Sequence, residues 1–348
     1  MVNATSRSDV KTLEPWLHRY WNIGPARLQA LASGHTNKTY LVEGDAGRAV
    51  LRVSWAGKPL GQMQREASIL GRLGAARTAP RLPALPRLRP TVDARTGVRL
   101  PDGRWLHLFE HIDGRPGLPD DPHAGATDAM RTLAHLHTAL AAIPAIPAIP
   151  AIPAIPAIPA IPASEAAPLA WLSARHARVA ARAMPSLPGD LNDAYDTVIR
   201  RIGAHLDAAA AWLTGPAHWL HGDYHAGNLL YVGNAVNGVL DFDDVGQGAP
   251  WLEAAFASFA LSRDADRDDG FVFDRGRWVA SLDAYAATRP DAAPAWLRDH
   301  HDALTTLFCA DQTLIHLEAA QRGLWMPGPG IGFLGGWRQL LDGAVPAG

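Results

Sequence analysis

The sequence predicts an α+β fold, with a small strand-rich N-terminal part and a larger, mostly helical C-terminal part. Three observations predict it. Leu28–Ala32, Thr39–Glu43 and Ala49–Val53 read as short strands separated by Gly- and Asn-containing turns. Beyond residue 120, apolar residues recur at helical spacing through one long segment after another. Among those helices stands one hairpin signal, Leu229–Val232 and Gly238–Phe242 around Gly233-Asn234-Ala235-Val236-Asn237.

In chain order, the first turn is Ser33-Gly34-His35-Thr36-Asn37-Lys38 and the second is Gly44-Asp45-Ala46-Gly47. With one glycine, the first turn is a weak phosphate-covering loop by itself. Arg52 ends the third strand, where its cation suits a nucleotide phosphate. Gln62–Leu73 follows with helical periodicity through Met63, Ala67, Leu70 and Leu73, so Glu66 is placed to pair with Arg52. Trp105–Ile112 is an apolar strand running into Glu110-His111-Ile112-Asp113-Gly114. Asp128–Leu140 then reads as a helix that buries Met130, Leu133, Ala134, Leu136 and Leu140. Leu169–Met184, Leu191–Leu213, Trp251–Leu261, Arg275–Ala287 and Ala295–Gly323 repeat that spacing.

Ile143–Ala163 holds seven Ile-Pro-Ala repeats, and proline at every third position excludes a helix. As polyproline II its backbone makes no internal hydrogen bonds, so it cannot cross hydrocarbon. It reads as a tolerated expansion of a surface connection, and deleting it is expected to spare activity. Gly330-x-Gly332-x-x-Gly335 fits a dinucleotide pattern, but too few residues follow for a βαβ unit, so it reads as a C-terminal loop. Asp264-x-Asp266-x-Asp268 begins like a calcium loop, yet Asp269 and Arg275 stand where glycine and glutamate are needed.

The chemistry concentrates in His221-Gly222-Asp223-Tyr224-His225-Ala226-Gly227-Asn228-Leu229 and Val239-Leu240-Asp241-Phe242-Asp243. Folding the hairpin back brings Asp241 to the loop holding Asp223 and Asn228. An attacking hydroxyl must be oriented and must lose a proton, which suits Asp223. A magnesium ion takes oxygen ligands from one or two side chains plus phosphates, which suits Asn228 and Asp241. This is the equipment of phosphoryl transfer, and the Asp-x4-Asn spacing equals that of the protein-kinase catalytic loop. His221 is expected to brace the loop by hydrogen bonding, and His225 either does the same or faces the acceptor. A metallohydrolase also uses His and Asp, but beyond Asp121-Pro122-His123 no further metal cluster is legible.

These residues carry a resemblance. The chain resembles the aminoglycoside phosphotransferase and choline kinase family through Ser33-Gly34-x2-Asn37, Val50-Leu51-Arg52, Glu66, Leu133-Ala134-His135-Leu136-His137, His221–Leu229 and Asp241-Phe242-Asp243-Asp244. The catalytic segment looks nearest to the bacterial stress-response kinase and type II homoserine kinase groups. The resemblance implies a two-lobed, protein-kinase-like fold with ATP as donor and Mg²⁺ as cofactor. It implies Asp223 as base with His221 beside it, and Asn228 and Asp241 on the metal. The nucleotide would meet Gly34, Asn37, Arg52, Glu66 and the backbone at Glu110 and Ile112. Asp243, His225, Asp311 and His316 are the candidates for the acceptor side. Two departures stand out: Arg52 replaces the usual lysine, and Trp251-Leu252-Glu253 replaces an Asp-Leu-Ala-like helix start, so Glu253 is expected to do the aspartate's supporting work.

The expected division is residues 1–113 and 114–348, with the repeat insert at 143–163. A net charge of −2 gives no electrostatic footprint for nucleic acid or an anionic membrane, and the resemblance implies a small hydroxyl-bearing molecule as the partner. The one cysteine, Cys309, cannot form an internal disulfide, and Met1–Lys11 lacks the apolar stretch of a signal peptide. A cytoplasmic location is expected. The rival readings are a serine/threonine protein kinase and a non-catalytic nucleotide-binding module.

Overall fold

The computed structural model describes residues 7–31, 37–45, 47–75, 82–143, 169–187, 189–213, 217–263, 274–289, 299–323 and 333–342. The loop around Gly34, the Ile-Pro-Ala insert beyond Ile143 and the Asp264–Asp269 stretch lie outside these residues. The chain divides into two units, Met1–Ala75 with Ala84–Asp113, and Ala76–Pro83 with Gly114–Gly348.

In the first unit, helix α1 (Arg7–Trp21) precedes strands β1 (Arg27–Ala30), β2 (Lys38–Gly44) and β3 (Gly47–Val53). Helix α2 (Leu60–Ala75), β4 (Val98–Arg99) and β5 (Trp105–Glu110) follow. The strands form one antiparallel sheet in the order β1-β2-β3-β5-β4. Period-two alternation sorts β3 between its faces. Ala49, Leu51 and Val53 join Leu13 and Leu17 of α1 with Tyr40, Val42, Leu106 and Leu108 in one apolar cluster. Each such fully buried leucine contributes roughly 1.5–3 kcal/mol. Arg52, between them in sequence, points away from that cluster. The helix α1 was not legible in the sequence; Pro15 lies inside it.

In the second unit, β6 (Arg115–Pro116) leads to the long helix α3 (Pro122–Ala141). Asp121 is its N-cap, accepting the Ala124 N–H at 3.0 Å, while His123 of the same Asp-x-His stretch pairs through Nε2 with Asp274 Oδ2 at 2.9 Å. Helices α4 (Ala170–Ala180) and α5 (Asp190–Ala210) follow, then β7 (His218–Leu220), a 3₁₀ turn (Ala226–Asn228), β8 (Leu229–Val232), β9 (Ala235–Val239) and β10 (Gly246–Gly248). The chain continues through α6 (Pro250–Ser262), α7 (Arg275–Thr288), α8 (His301–Gln321) and α9 (Phe333–Asp342). Helix α6 is apolar nearly all round and accordingly buried on almost every face. Phe256 and Phe259 of α6 pack with Leu172, Val198, Ile202, Trp278, Phe308 and Trp337 in the core.

Two expectations are corrected. Gly335 lies in α9, not in a loop, and the next glycine, Gly336, packs against the Cys309 carbonyl while Trp337 enters the core. The hairpin's second strand runs from Ala235 to Val239, three residues earlier than Gly238–Phe242. Its turn is only Gly233-Asn234, with Gly233 at φ +60°, and a bulge between Leu230 and Tyr231 absorbs the register change. The strand stops short because Asp241 takes a left-handed backbone, φ 59°. Among the described residues, no helix is long and apolar enough to cross a membrane.

Candidate active site

Three short elements of the second unit assemble the site. Strand β7 delivers the chain to His221, and β10 pairs antiparallel with β7, Gly246 opposite Leu220. The hairpin β8–β9 lies between them in sequence, so residues 221–228 and 240–245 return to one place. The backbone ties are direct: Leu240 N–H donates to the Asn228 carbonyl at 2.8 Å. Gly222, at φ +88°, has no room for a side chain, because one would collide with the Asp244 carbonyl.

His221 is fully buried and holds both strands of this arrangement. Its Nδ1 accepts the Asp223 N–H at 3.2 Å, so Nε2 carries the hydrogen and donates to the Leu240 carbonyl at 2.8 Å. Burial pushes its pKa down, which keeps this neutral tautomer. The loop is therefore tied to the segment leading into Asp241.

Glu253, near the start of α6, holds the same loop from below. One carboxylate oxygen accepts the Gly222 N–H at 2.5 Å, and the other accepts the His221 N–H at 3.1 Å. The second oxygen also accepts His137 Nε2–H at 2.6 Å, and His137 Nδ1 in turn takes the Tyr285 hydroxyl at 2.7 Å. Burial acts to raise the Glu253 pKa, but the His137 hydrogen bond and its other partners outweigh it and lower it. The chain Tyr285–His137–Glu253 thus links α7, α3 and α6 to the His221 and Gly222 amides. Tyr224, also buried, anchors the loop to α3 through its hydroxyl on the Ala129 carbonyl at 2.7 Å.

Asp223 and Asn228 face one another across this loop. Asn228 Nδ2 donates to the Asp223 carbonyl at 2.9 Å and to Asp223 Oδ2 at 3.1 Å. That fixes the amide so that its oxygen turns away from Asp223. His225 Nδ1 accepts the Gly227 N–H at 3.1 Å, which leaves Nε2–H 3.4 Å from Asp223 Oδ2. Burial raises the Asp223 pKa, yet the charge and hydrogen bond of His225, with the charge of Arg175, outweigh it and hold the carboxyl down at about 2. Burial lowers His225, and the Asp223 carboxylate overrides it and raises it. Asp241 and Asp243 each offer a carboxylate oxygen, the two lying within 4.8 Å of one another. Asn228, Asp241 and Asp243 present oxygen donors only, the set that suits a hard divalent cation such as Mg²⁺.

With this geometry established, comparison with known proteins decides the family. A family model described as a phosphotransferase enzyme family (APH) matches residues 27–300. The chain belongs to this phosphotransferase family. No curated protein sequence matches it. Solved structures share its α+β, kinase-like fold. An amicoumacin kinase in complex with AMP-PNP, Ca²⁺ and Ami aligns over 97% of this chain and 96% of its own, at 13% identity and a TM-score of 0.65. A microcompartment-associated aminopropanol kinase aligns over 96% and 98%, at 18% identity and 0.59. A macrolide 2'-phosphotransferase from Brachybacterium faecium aligns over 91% and 96%, at 18% identity and 0.55.

The other residues singled out in this phosphotransferase fall into place unevenly. In the first unit, Arg52 is buried on the sheet face opposite the α1 cluster, pairs with Glu66 of α2 and lies 4.9 Å over the Phe109 ring. Asn37 is buried, while Gly34 lies outside the described residues. Glu110 ends β5, and its N–H donates to the Arg87 carbonyl at 2.9 Å; Ile112 follows just beyond the strand. In the second unit, Asp311 and His316 lie on different sides of α8. His316 donates from Nδ1 to the Gln312 carbonyl at 2.7 Å and lies about 140° round the helix from Asp311. Asp311 instead accepts Arg175 Nη1 at 2.5 Å, both groups being buried. Arg175 was missed: it is one of several arginines on an amphipathic helix, and nothing local marks it as buried. The arginine stays charged because Asp311, Asp244 and Glu318 outweigh the burial that opposes its charge.

Proposed function

We propose that this phosphotransferase moves the terminal phosphate of ATP to a hydroxyl group of a small molecule, with Mg²⁺ as the metal. The observation that carries this reading is the Asp223–Asn228 pair, held by two hydrogen bonds from Asn228 and tied through the Leu240 N–H to the segment that carries the carboxylate pair Asp241 and Asp243. Asp223 receives the acceptor's hydroxyl. Because His225 and Arg175 keep its carboxylate ionised, it aligns that hydroxyl along the direction of attack and takes its proton as the new bond forms. Asn228 and Asp241 would hold the metal, with a carboxylate oxygen of Asp243 within 4.8 Å of one of Asp241. When bound, the metal neutralises phosphate charge. The left-handed backbone of Asp241 aims its side chain away from the strand direction of β9.

Arg52, fixed by Glu66, takes the nucleotide's phosphates, and the segment Glu110–Ile112 takes the adenine edge. His221 and Glu253 touch no reactant; they position the loop. An intracellular compartment supplied with ATP suits this activity, and the single, buried Cys309 is compatible with reducing conditions. The test is ATP consumption screened over aminoglycosides, amino alcohols, sugars and generic protein substrates. Turnover with one small-molecule class supports the reading. Turnover with proteins alone, or phosphate release without ATP, overturns it.

A further inference from the structure

Arg52 stands where lysine is usual, and the sheet of the first unit shows what an arginine gains there. Strand β3 alternates between the two faces of that sheet. Ala49, Leu51 and Val53 join the cluster with α1, so Val50 and Arg52 occupy the opposite face. In the β3–β5 ladder, Arg52 lies opposite His107, and Val50 lies opposite Phe109. Phe109 is therefore the diagonal neighbour of Arg52 on one face, at a spacing that long side chains and rings can bridge. They do bridge it. The guanidinium carbon of Arg52 lies over the Phe109 ring, 4.9 Å from its centroid.

Three buried side chains meet on this face. Phe109 is 6% exposed, and the side chains of Arg52 and Glu66 are 8% and 3% exposed. Glu66 of α2 holds the guanidinium at one end, through Nη2. A tie at one end of a planar group leaves the far end able to swing, and a ring packed against the plane limits that swing. Attraction between a cation and a ring is also strongest where water is excluded from both.

The chemistry of the two cations explains why the ring matters more to arginine. A guanidinium is planar and weakly hydrated, and it stacks on aromatic faces while its fork of N–H groups grips oxygens. An ammonium is compact, strongly hydrated and without a plane to orient. Phe109 thus offers Arg52 a restraint that a lysine at the same position would use poorly.

We propose that Phe109 is a positioning residue for nucleotide binding. Its ring, together with Glu66, holds the Arg52 guanidinium in the orientation in which it meets the nucleotide's phosphates, and so makes arginine the better cation at position 52. The inference rests on the phosphate-binding role given to Arg52 above. A fork oriented before the nucleotide arrives costs less to order when it binds. Phe109 acts through Arg52 and touches no phosphate itself.

Calorimetric titration of AMP-PNP with Mg²⁺ present, and of adenosine as its competitor, tests it on the wild type, Phe109→Leu, Arg52→Lys and the double variant. Adenosine carries the base and ribose without the phosphates. Phe109→Leu is expected to weaken AMP-PNP about tenfold and adenosine about twofold or less. Arg52→Lys is expected to weaken AMP-PNP by about the same factor, and the double variant by little more than either single one, because both changes remove one contact. Phe109→Met fills the space without a ring and carries the same expectation should the leucine variant fail to fold. Unchanged AMP-PNP affinity in the Phe109 variants, an equal loss for adenosine, or losses that multiply in the double variant each overturns the proposal. So does an Arg52→Lys protein that binds AMP-PNP as the wild type does. Those results leave the nucleotide site standing, whereas a wild-type protein that fails to bind AMP-PNP sinks the reading of Arg52 as well.

Discussion

Glu253→Gln keeps the shape of the side chain and removes its charge. In the native protein its two oxygens accept three donors, the His221 and Gly222 amides and His137 Nε2–H. Glutamine has one acceptor oxygen. If that oxygen serves His221 and His137, the new NH₂ group faces the Gly222 N–H, donor against donor. One buried amide left without an acceptor costs about 1–3 kcal/mol, and the two remaining bonds lose their charge assistance. The expected loss of stability is about 3–5 kcal/mol. Because the orphaned amide adjoins Asp223, a displacement of the loop by about 1 Å is expected to lower kcat by roughly a hundredfold. AMP-PNP affinity is expected to hold, since Glu253 touches no nucleotide group. Urea unfolding and steady-state ATP turnover measure the two effects. A variant with wild-type stability and turnover refutes the claim that this carboxylate positions the loop.

Three further outcomes are expected. Tyr285→Phe leaves the buried Nδ1 of His137 without its donor, so unfolding free energy should fall by about 1–3 kcal/mol, while an unchanged denaturation midpoint speaks against the relay. Arg175→Met strands the buried Asp311 carboxylate and should cost about 3–5 kcal/mol, much of it recovered by adding Asp311→Leu; equal single and double variants contradict the pairing. His225→Gln tests the pair beside Asp223 through pH. Asp223 is lowered from 3.8 to about 2, so its contribution is full above 3.8 and fades as pH falls toward 2. His225 is raised from 6.5, so its contribution is full below 6.5 and fades as pH rises through the raised value. The difference in Tm between wild type and variant should peak between those two limits and shrink on the alkaline side. It should also be small, because both side chains remain about two-fifths exposed and water screens them. A pH-independent difference contradicts the pair.

Residues that act through local spacing were legible in the sequence. The strands β2 and β3, the helix α2 and the hairpin announce themselves by period and turn residues, and His221–Leu229 announces its chemistry by spacing. The brace at Glu253 was expected from the family resemblance, as a stand-in for an aspartate at that helix start, yet its partners were not. His137 and Tyr285 sit in different helices, and only packing brings them to one carboxylate. Arg175, Asp311 and Glu318 were harder still: each is an ordinary charged residue on an amphipathic helix until α4 meets α8. Helix α1 escaped because Pro15 interrupts its helical reading, and α9 because its glycines look like a loop. The strand end at Val239 depends on the left-handed Asp241, a backbone choice that no side-chain pattern signals.

Asp223→Asn is the substitution on which the account turns. It keeps the shape of the side chain and removes the carboxylate that would receive the acceptor's proton. In a single-turnover measurement with γ-³²P-labelled ATP, Mg²⁺ and the acceptor found by screening, the variant is expected to bind nucleotide as the wild type does and transfer no label. Label transfer at the wild-type rate would contradict the assignment of this loop as the phosphoryl-transfer centre.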